Sequence, residues 1–218
     1  MIEIKNLEKV YPNGTIALSR INLTIEKGEF LYIVGESGAG KTTLLKIIHG
    51  EEKPTSGSVM YDGKAVDEFP SHVLKQKIGF AYQDFMLIED RSVMENVSLP
   101  LQYQGENFKS IYNKTSSILE AIKLKDKMYK LVKELSGGEK QRISLARAII
   151  MNPEVLILDE PLGNLDRDTA SVIMQYVEAL NEKGTTILMS THHMLNEDTI
   201  PRKIIKLKKG RIVTKDYV

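Results

Sequence analysis

Gly35-Glu36-Ser37-Gly38-Ala39-Gly40-Lys41-Thr42 decides how this chain folds. The stretch fits G-x-x-x-x-G-K-[ST]. The apolar run Phe30 to Val34 precedes it and the helix-like Thr42 to His49 follows it. Strand, glycine-rich loop and helix form the context in which such a string cradles phosphate. Gly35 and Gly40 let the backbone curl so that successive N–H groups converge on one anion. The positive end of the following helix adds to that pull. In such a loop Lys41 reaches the β- and γ-phosphates of a nucleoside triphosphate, and the Thr42 hydroxyl ligates Mg2+. A glycine turn with a solvated lysine is the plain alternative. At ordinary glycine usage the string arises by chance in roughly one chain of this size per hundred.

Two further stretches carry chemistry. Leu135-Ser136-Gly137-Gly138-Glu139 opens a second helix, Glu139 to Ile150. A hydroxyl and bare N–H groups at a helix start bind anions, although serine is also a common N-cap. Asp159-Glu160 closes the short apolar run Val155 to Leu158. In a phosphate-loop enzyme an acid at this place holds the Mg2+ shell. A second acid directly after it suits a general base for the attacking water, worth about 10² to 10⁴ in rate.

Composition narrows the class. The 218 residues are 42% hydrophobic, enough for one sizeable core with a subdomain. Net charge is +1, which gives no electrostatic argument for nucleic acid. There are no cysteines, so thiolate metal sites and thiol redox chemistry are excluded. No apolar run approaches the roughly 18 residues of a membrane span, and Met1-Ile2-Glu3-Ile4-Lys5 does not read as a signal peptide. The Lys-rich segment Arg202 to Arg211 has Ile204, Ile205 and Leu207 interleaved, as in an edge strand with a solvated face.

The pattern along the chain is α/β. Ile2 to Lys5 and Ile21 to Ile25 alternate as strands, and turns fall at Pro12-Asn13-Gly14 and Glu26-Lys27-Gly28. Further strands are expected at Ser58 to Tyr61, Ile78 to Tyr82 and Thr185 to Met189. Ile173, Tyr176, Val177 and Leu180 mark one face of a helix closed by Gly184. From Asp84 to Met151 the pattern is mostly helical, with turn residues at Pro100 and Gly105. Alternating strands and helices imply a mainly parallel sheet with its ligands at strand C-termini. The expected organisation is one domain. Residues 1–83 and 152–218 form the nucleotide-binding core, with an N-terminal antiparallel β subdomain, and residues 84–151 form an inserted helical subdomain.

On these motifs the chain resembles the ABC-type ATPases, from Met1 to about Val213. The resemblance implies a P-loop NTPase (RecA-like) core, ATP and Mg2+ as cofactors, and a homodimer with ATP sandwiched between subunits. It implies that Gly35 to Thr42, with Thr43, hold ATP from one subunit, while Ser136, Gly138 and Glu139 approach it from the other. Residue by residue, Tyr11 matches the aromatic that stacks on adenine. Gln83 matches the glutamine that senses Mg2+ and the attacking water. Asp166, in Gly163-Asn164-Leu165-Asp166, matches the loop at the dimer seam, with a helix N-cap as its other reading. His192 matches the switch histidine at the γ-phosphate. The next position is usually Asp or Asn in such relatives and is His193 here; His192 is taken as the switch.

Within the family the chain is most similar to the cell-division (FtsE-type) branch, in Phe30 to Gly35, in Gln83 to Val93 and in its short length. Glu95 to Leu101 also resembles the lipoprotein-release and macrolide- or peptide-export branch. Either branch implies an integral membrane partner, FtsX-like or an export permease. It implies a cytoplasmic chain held on the inner face of the bacterial membrane through that partner. Phe85, Met86 and Leu87 are expected to touch it. Ribosome- or DNA-acting ABC proteins and an inactive scaffold are the rivals. One ATPase unit with no heptad arm argues against the former, and the presence of Lys41, Asp159, Glu160 and His192 argues against the latter.

Overall fold

The computed structural model describes residues 1–163, 165–192 and 202–217, with side chains to 214 in the last stretch. Asn164 and His193 lie outside the described residues.

In chain order the strands and helices are β1 (Ile2–Val10), β2 (Ile16–Ile25), β3 (Phe30–Val34), α1 (Lys41–Ile48), β4 (Ser56–Tyr61), β5 (Lys64–Ala65) and α2 (Ser71–Lys77). Next come β6 (Ile78–Ala81), α3 (Val93–Tyr103), α4 (Phe108–Ala121), α5 (Gly137–Ile149) and β7 (Val155–Asp159). The chain then continues through α6 (Arg167–Glu182), β8 (Thr186–Thr191), β9 (Lys203–Lys208) and β10 (Arg211–Tyr217).

Two sheets result. An antiparallel sheet runs β2-β1-β4-β5, and a six-stranded sheet runs β10-β9-β3-β8-β7-β6. In the second sheet β6, β7, β8, β3 and β9 are parallel, and β10 returns antiparallel to β9. Its central strands β3, β8, β7 and β6 are short, largely apolar runs because both faces are covered. Ile33, Ile157 and Leu188 face α1 and the antiparallel sheet. Tyr32, Leu156, Leu158, Ile187 and Met189 face α5 and α6. Side chains alternate across a strand, so the two layers follow from the two-residue period.

Helix α1 has eight residues, a length that is marginal in isolation. Its hold is tertiary. Leu44, Leu45, Ile47 and Ile48 are essentially sealed from solvent, and each such burial contributes about 1.5 to 3 kcal/mol. A third cluster joins Val93, Val97 and Leu101 of α3, Leu119 of α4 and Ile143 and Ala146 of α5. The opposite face of α5 packs elsewhere: Leu145, Ala148 and Ile149 lie against the parallel sheet. One helix thus ties the helical layer to the core.

Three expectations need correction. Pro100 is no turn; it sits inside α3. A complete capping box, with Ser92 accepting from the Glu95 N–H and Glu95 accepting from the Ser92 N–H, fixes that helix's start, and buried Leu101 holds it past the proline. Arg202 to Arg211 is not the edge of the sheet, because β9 lies between β3 and β10. Leu87 is only half-exposed, since part of its side chain packs on the helical cluster.

Candidate functional site

The C-terminal ends of β3, β7 and β8 meet at one place, and the chemistry-bearing residues leave from there. Adjacent register pairs Val34 with Thr191 and Asp159 with Ser190. The Gly35 N–H continues this by bonding the Thr191 carbonyl at 3.3 Å.

The phosphate loop is shaped by close backbone approach. A Cβ on Gly35 would lie 2.5 Å from the Leu207 carbonyl oxygen. Gly40 has φ +105° and faces the Ala17 carbonyl, so only glycine fits there without strain. The loop ends in α1, which has no side-chain cap, leaving its first N–H groups for a ligand. Lys41 opens the helix and is 4% exposed. Its ammonium donates to the Gly35 carbonyl at 2.7 Å and the Glu36 carbonyl at 3.1 Å, and it pairs with Glu160 Oε1 at 3.1 Å.

Glu160 stands between two cationic or protonatable groups. Its Oε2 lies 3.0 Å from His192 Nδ1. Its backbone has φ +47°, a left-handed conformation uncommon outside glycine, which turns the residue out of β7 toward the phosphate loop. Asp159, 2% exposed, remains in the strand. Gly163 lies against the same pair, its would-be Cβ 3.6 Å from His192 Cε1.

Among the described residues no three His, Asp or Glu side chains form a cage for a metal. What is present is one buried carboxylate, Asp159, with the Thr42 hydroxyl at the loop end and the Gln83 amide beyond β6. These are hard oxygen donors of the kind Mg2+ accepts when phosphate completes its shell, so the residues fit that ion.

Other residues singled out from the sequence fall elsewhere. The Tyr11 hydroxyl lies 3.3 Å from Thr43 Oγ1, and Lys9 Nζ stands 5.0 Å over its ring, so Tyr11 sits beside α1. Glu36, Ser37, Gly38 and Ala39 form the loop itself, and Ala39 packs into the core. Gln83 is exposed just after β6. Ser136 caps α5: its Oγ accepts from the Glu139 N–H, and Glu139 accepts from the Ser136 N–H at 2.9 Å. Glu139 also pairs with Lys127. Burial alone would raise its pKa, but the bonds from Lys127 and Ser136 prevail and hold the carboxyl below the usual range. Its charge is therefore engaged inside the chain. Asp166 caps α6, accepting from the Thr169 N–H at 2.9 Å and the Thr169 hydroxyl at 2.8 Å. Both N-cap readings are thus realised, and both caps are exposed.

Sequence reasoning passed over two residues. Ser190 bridges Asp159 and Glu160, accepting from the Glu160 N–H at 2.9 Å and donating to Asp159 Oδ1 at 2.6 Å. Its signal was a hydroxyl directly after the apolar run Ile187 to Met189. Arg147 on α5 donates to the carbonyls of Met86 at 2.6 Å and Phe85 at 2.8 Å. Those two residues have φ of +47° and +62°. Desolvation lowers the Arg147 pKa. Met86 is exposed and Phe85 half-buried, so of the expected contact surface only Met86 fully faces solvent.

Comparison with known proteins agrees with this geometry. The ABC transporter family profile matches residues 18–163. The chain is 43% identical to the cell division ATP-binding protein FtsE of Bacillus subtilis, over 98% of this chain and 95% of that protein. It is 40% identical to the FtsE protein of Streptococcus pneumoniae, over 98% and 94%. Among solved structures it resembles the ATP-binding cassette MJ0796 in a dimeric post-hydrolysis state bound to ADP and Pi. The TM-score is 0.91 at 33% identity, covering 100% of this chain and 98% of that one. A phosphate loop, an acid pair and a histidine converging at the ends of parallel strands, with these matches over nearly the whole chain, establish that it belongs to the ABC transporter family, as an ATPase cassette.

Proposed function

We propose that this chain is the ATP-binding and hydrolysing subunit of an ABC-type complex acting in cell division. It works as a homodimer and passes the force of closure to an FtsX-like membrane protein. The observation that carries the catalytic part is the run Lys41–Glu160–His192, with successive separations of 3.1 and 3.0 Å. The cell-division part rests on the FtsE relatives. The dimer rests on the dimeric MJ0796 cassettes.

The chemistry follows from the charges. Lys41 spends its ammonium on two loop carbonyls and on Glu160. Triphosphate oxygens entering the loop compete for that ammonium. When they take it, the Glu160 carboxylate is released toward an attacking water and accepts its proton as general base. His192, already at Glu160 Oε2, stays beside the developing charge at the γ-phosphate. Thr42, Gln83 and Asp159 would hold Mg2+, which supplies charge neutralisation on the β- and γ-phosphate oxygens. Tyr11 is assigned to the adenine ring. Ser136 and Gly138 are assigned to the triphosphate bound by the other subunit, with Asp166 at the seam. Charge forming in a water-excluded site is stabilised by donors fixed in advance. Closure of two subunits provides that exclusion.

The membrane partner follows from the same reading. No described helix is long and apolar enough to cross a membrane. Met86, presented on carbonyls pinned by Arg147, offers an exposed apolar contact beside Gln83. The reading therefore places the chain on the inner membrane face through its partner.

The direct test is Glu160→Gln. ATP binding is expected to persist while turnover falls about 10²-fold or more. Unchanged turnover would remove Glu160 from its role. Co-purification of a multi-span membrane protein is the expected partner result; recovery of an export permease instead would reassign the branch.

A further inference from the structure

The buried hydroxyl of Ser190, near the end of β8, makes two bonds that join the two acids of the site. Ser190 has 0% exposure. It donates to Asp159 Oδ1 at 2.6 Å and accepts from the Glu160 N–H at 2.9 Å. Serine is suited to this because one hydroxyl carries both a donor and acceptor lone pairs. The need for it comes from Glu160. At φ +47° this residue leaves the strand, and its N–H turns to a side chain. A non-glycine residue in this conformation costs about 1 to 3 kcal/mol and persists only where its surroundings over-determine it. Two residues beyond Ser190, His192 touches the carboxylate of the same Glu160. The end of β8 thus grips Glu160 at its backbone and at its side chain.

We infer that Ser190 is a positioning residue that locks the two acids of the site into one rigid unit. It fixes the Asp159 carboxylate and holds Glu160 in the left-handed conformation that aims its side chain between Lys41 and His192. The inference rests on the roles proposed above for Asp159 and Glu160. Ser190 acts through Asp159 and Glu160, the two groups it bonds. A displacement of about 1 Å at a reacting group costs on the order of 10²-fold in rate, so loss of this lock should be visible in turnover while leaving nucleotide affinity nearly unchanged.

The test compares Ser190→Ala, which removes both bonds, with Ser190→Thr, which keeps the hydroxyl. Ser190→Ala is expected to lower kcat about tenfold or more while changing the KM for ATP by less than about twofold. The Mg2+ concentration for half-maximal turnover should rise several-fold, because one oxygen of Asp159 loses its fixed orientation. Ser190→Thr should restore most of the kcat. A readout without turnover is thermal denaturation with ADP. In EDTA, ADP should stabilise Ser190→Ala as much as the parent, whereas the additional stabilisation on adding Mg2+ should shrink. An unchanged kcat in Ser190→Ala overturns the inference. So does a loss of ADP stabilisation in EDTA, or a Thr variant no better than Ala. Glu160→Gln, measured alongside, separates the two levels. If it keeps turnover, the assignment of Glu160 fails. If it stops turnover and Ser190→Ala does not slow it, only the lock fails.

Discussion

The two glycine-bearing helix starts of this chain, at α1 and α5, are built in different ways. Around the phosphate loop the chain itself demands glycine. Gly35 is pressed against the Leu207 carbonyl, and Gly40 is left-handed against Ala17. Lys41 is buried and bonded three ways. At the start of α5 the two glycines differ, and a Cβ on Gly138 would lie 3.2 Å from Thr169 Cγ2. A Cβ on Gly137 would meet nothing within 4 Å, and Ser136 is exposed and bonded only within its own capping box. The phosphate loop takes its shape from contacts within one chain. The second start is a finished helix cap in which packing against Thr169 restricts Gly138, while no described contact explains Gly137. The proposed closure by a second copy of the chain would use the open side at Gly137.

The strongest way to break the comparison is complementation. Ser136→Arg and Lys41→Ala are each expected to abolish turnover, and a mixture of the two should recover part of it. Mixed dimers would hold one intact Lys41 facing one intact Ser136. No recovery in a steady-state ATPase assay would mean that the two sites do not share a nucleotide.

Glycine replacement sharpens the contrast. Gly35→Ala must move backbone at Leu207 and should destabilise the chain by about 1 to 3 kcal/mol, with nucleotide binding lost. Gly137→Ala enters open space at a helix start, where alanine is the better helix former. Stability should be unchanged or rise by up to about 1 kcal/mol, yet turnover should fall tenfold or more, because the added methyl sits next to Ser136 and Gly138, which are assigned to the other subunit's triphosphate. Thermal denaturation and ATPase assays on both variants decide this. Equal destabilisation by the two would erase the distinction.

Much of the first site was legible from residues. Apolar runs fixed β3, β7 and β8, and the phosphate loop, Asp159 and Glu160 sit where strand ends put them. The second site was legible as a helix start, but its partner could enter only through the family resemblance. What escaped depends on contacts between distant segments. Ser190 matters because β8 lies beside β7, and Arg147 because α5 passes under Phe85 and Met86. Neither spacing is local. β5, with two residues, and α2, with seven, were too short to show a period. Pro100 misled because a strong cap at Ser92 outweighs one proline near the helix end.

The smallest predicted effect lies at the other end of α1, away from the loop. Glu51 is bonded to Tyr82 and paired with His49 at 3.2 Å. Its burial would raise the pKa, but the bonds from His49 and Tyr82 prevail and bring it from 4.5 to about 2. A depressed carboxylate stabilises the fold fully above its unfolded pKa, and that contribution is lost as pH falls from about 4.5 toward 2. After discounting for solvent at a half-buried group, about 1 kcal/mol is at stake. Glu51→Gln should flatten the acid limb of stability against pH in chemical denaturation, while ATP turnover at neutral pH stays near the parent value. A variant as acid-sensitive as the parent would remove Glu51 from that account.

The central claim is that one ATP is held between two copies of this chain. It is met most directly by the mass of Glu160→Gln in saturating Mg–ATP, measured by analytical ultracentrifugation. The account predicts a dimer that reverts to monomer when ATP is replaced by ADP. A strictly monomeric species in ATP, even with the membrane partner present, would contradict it.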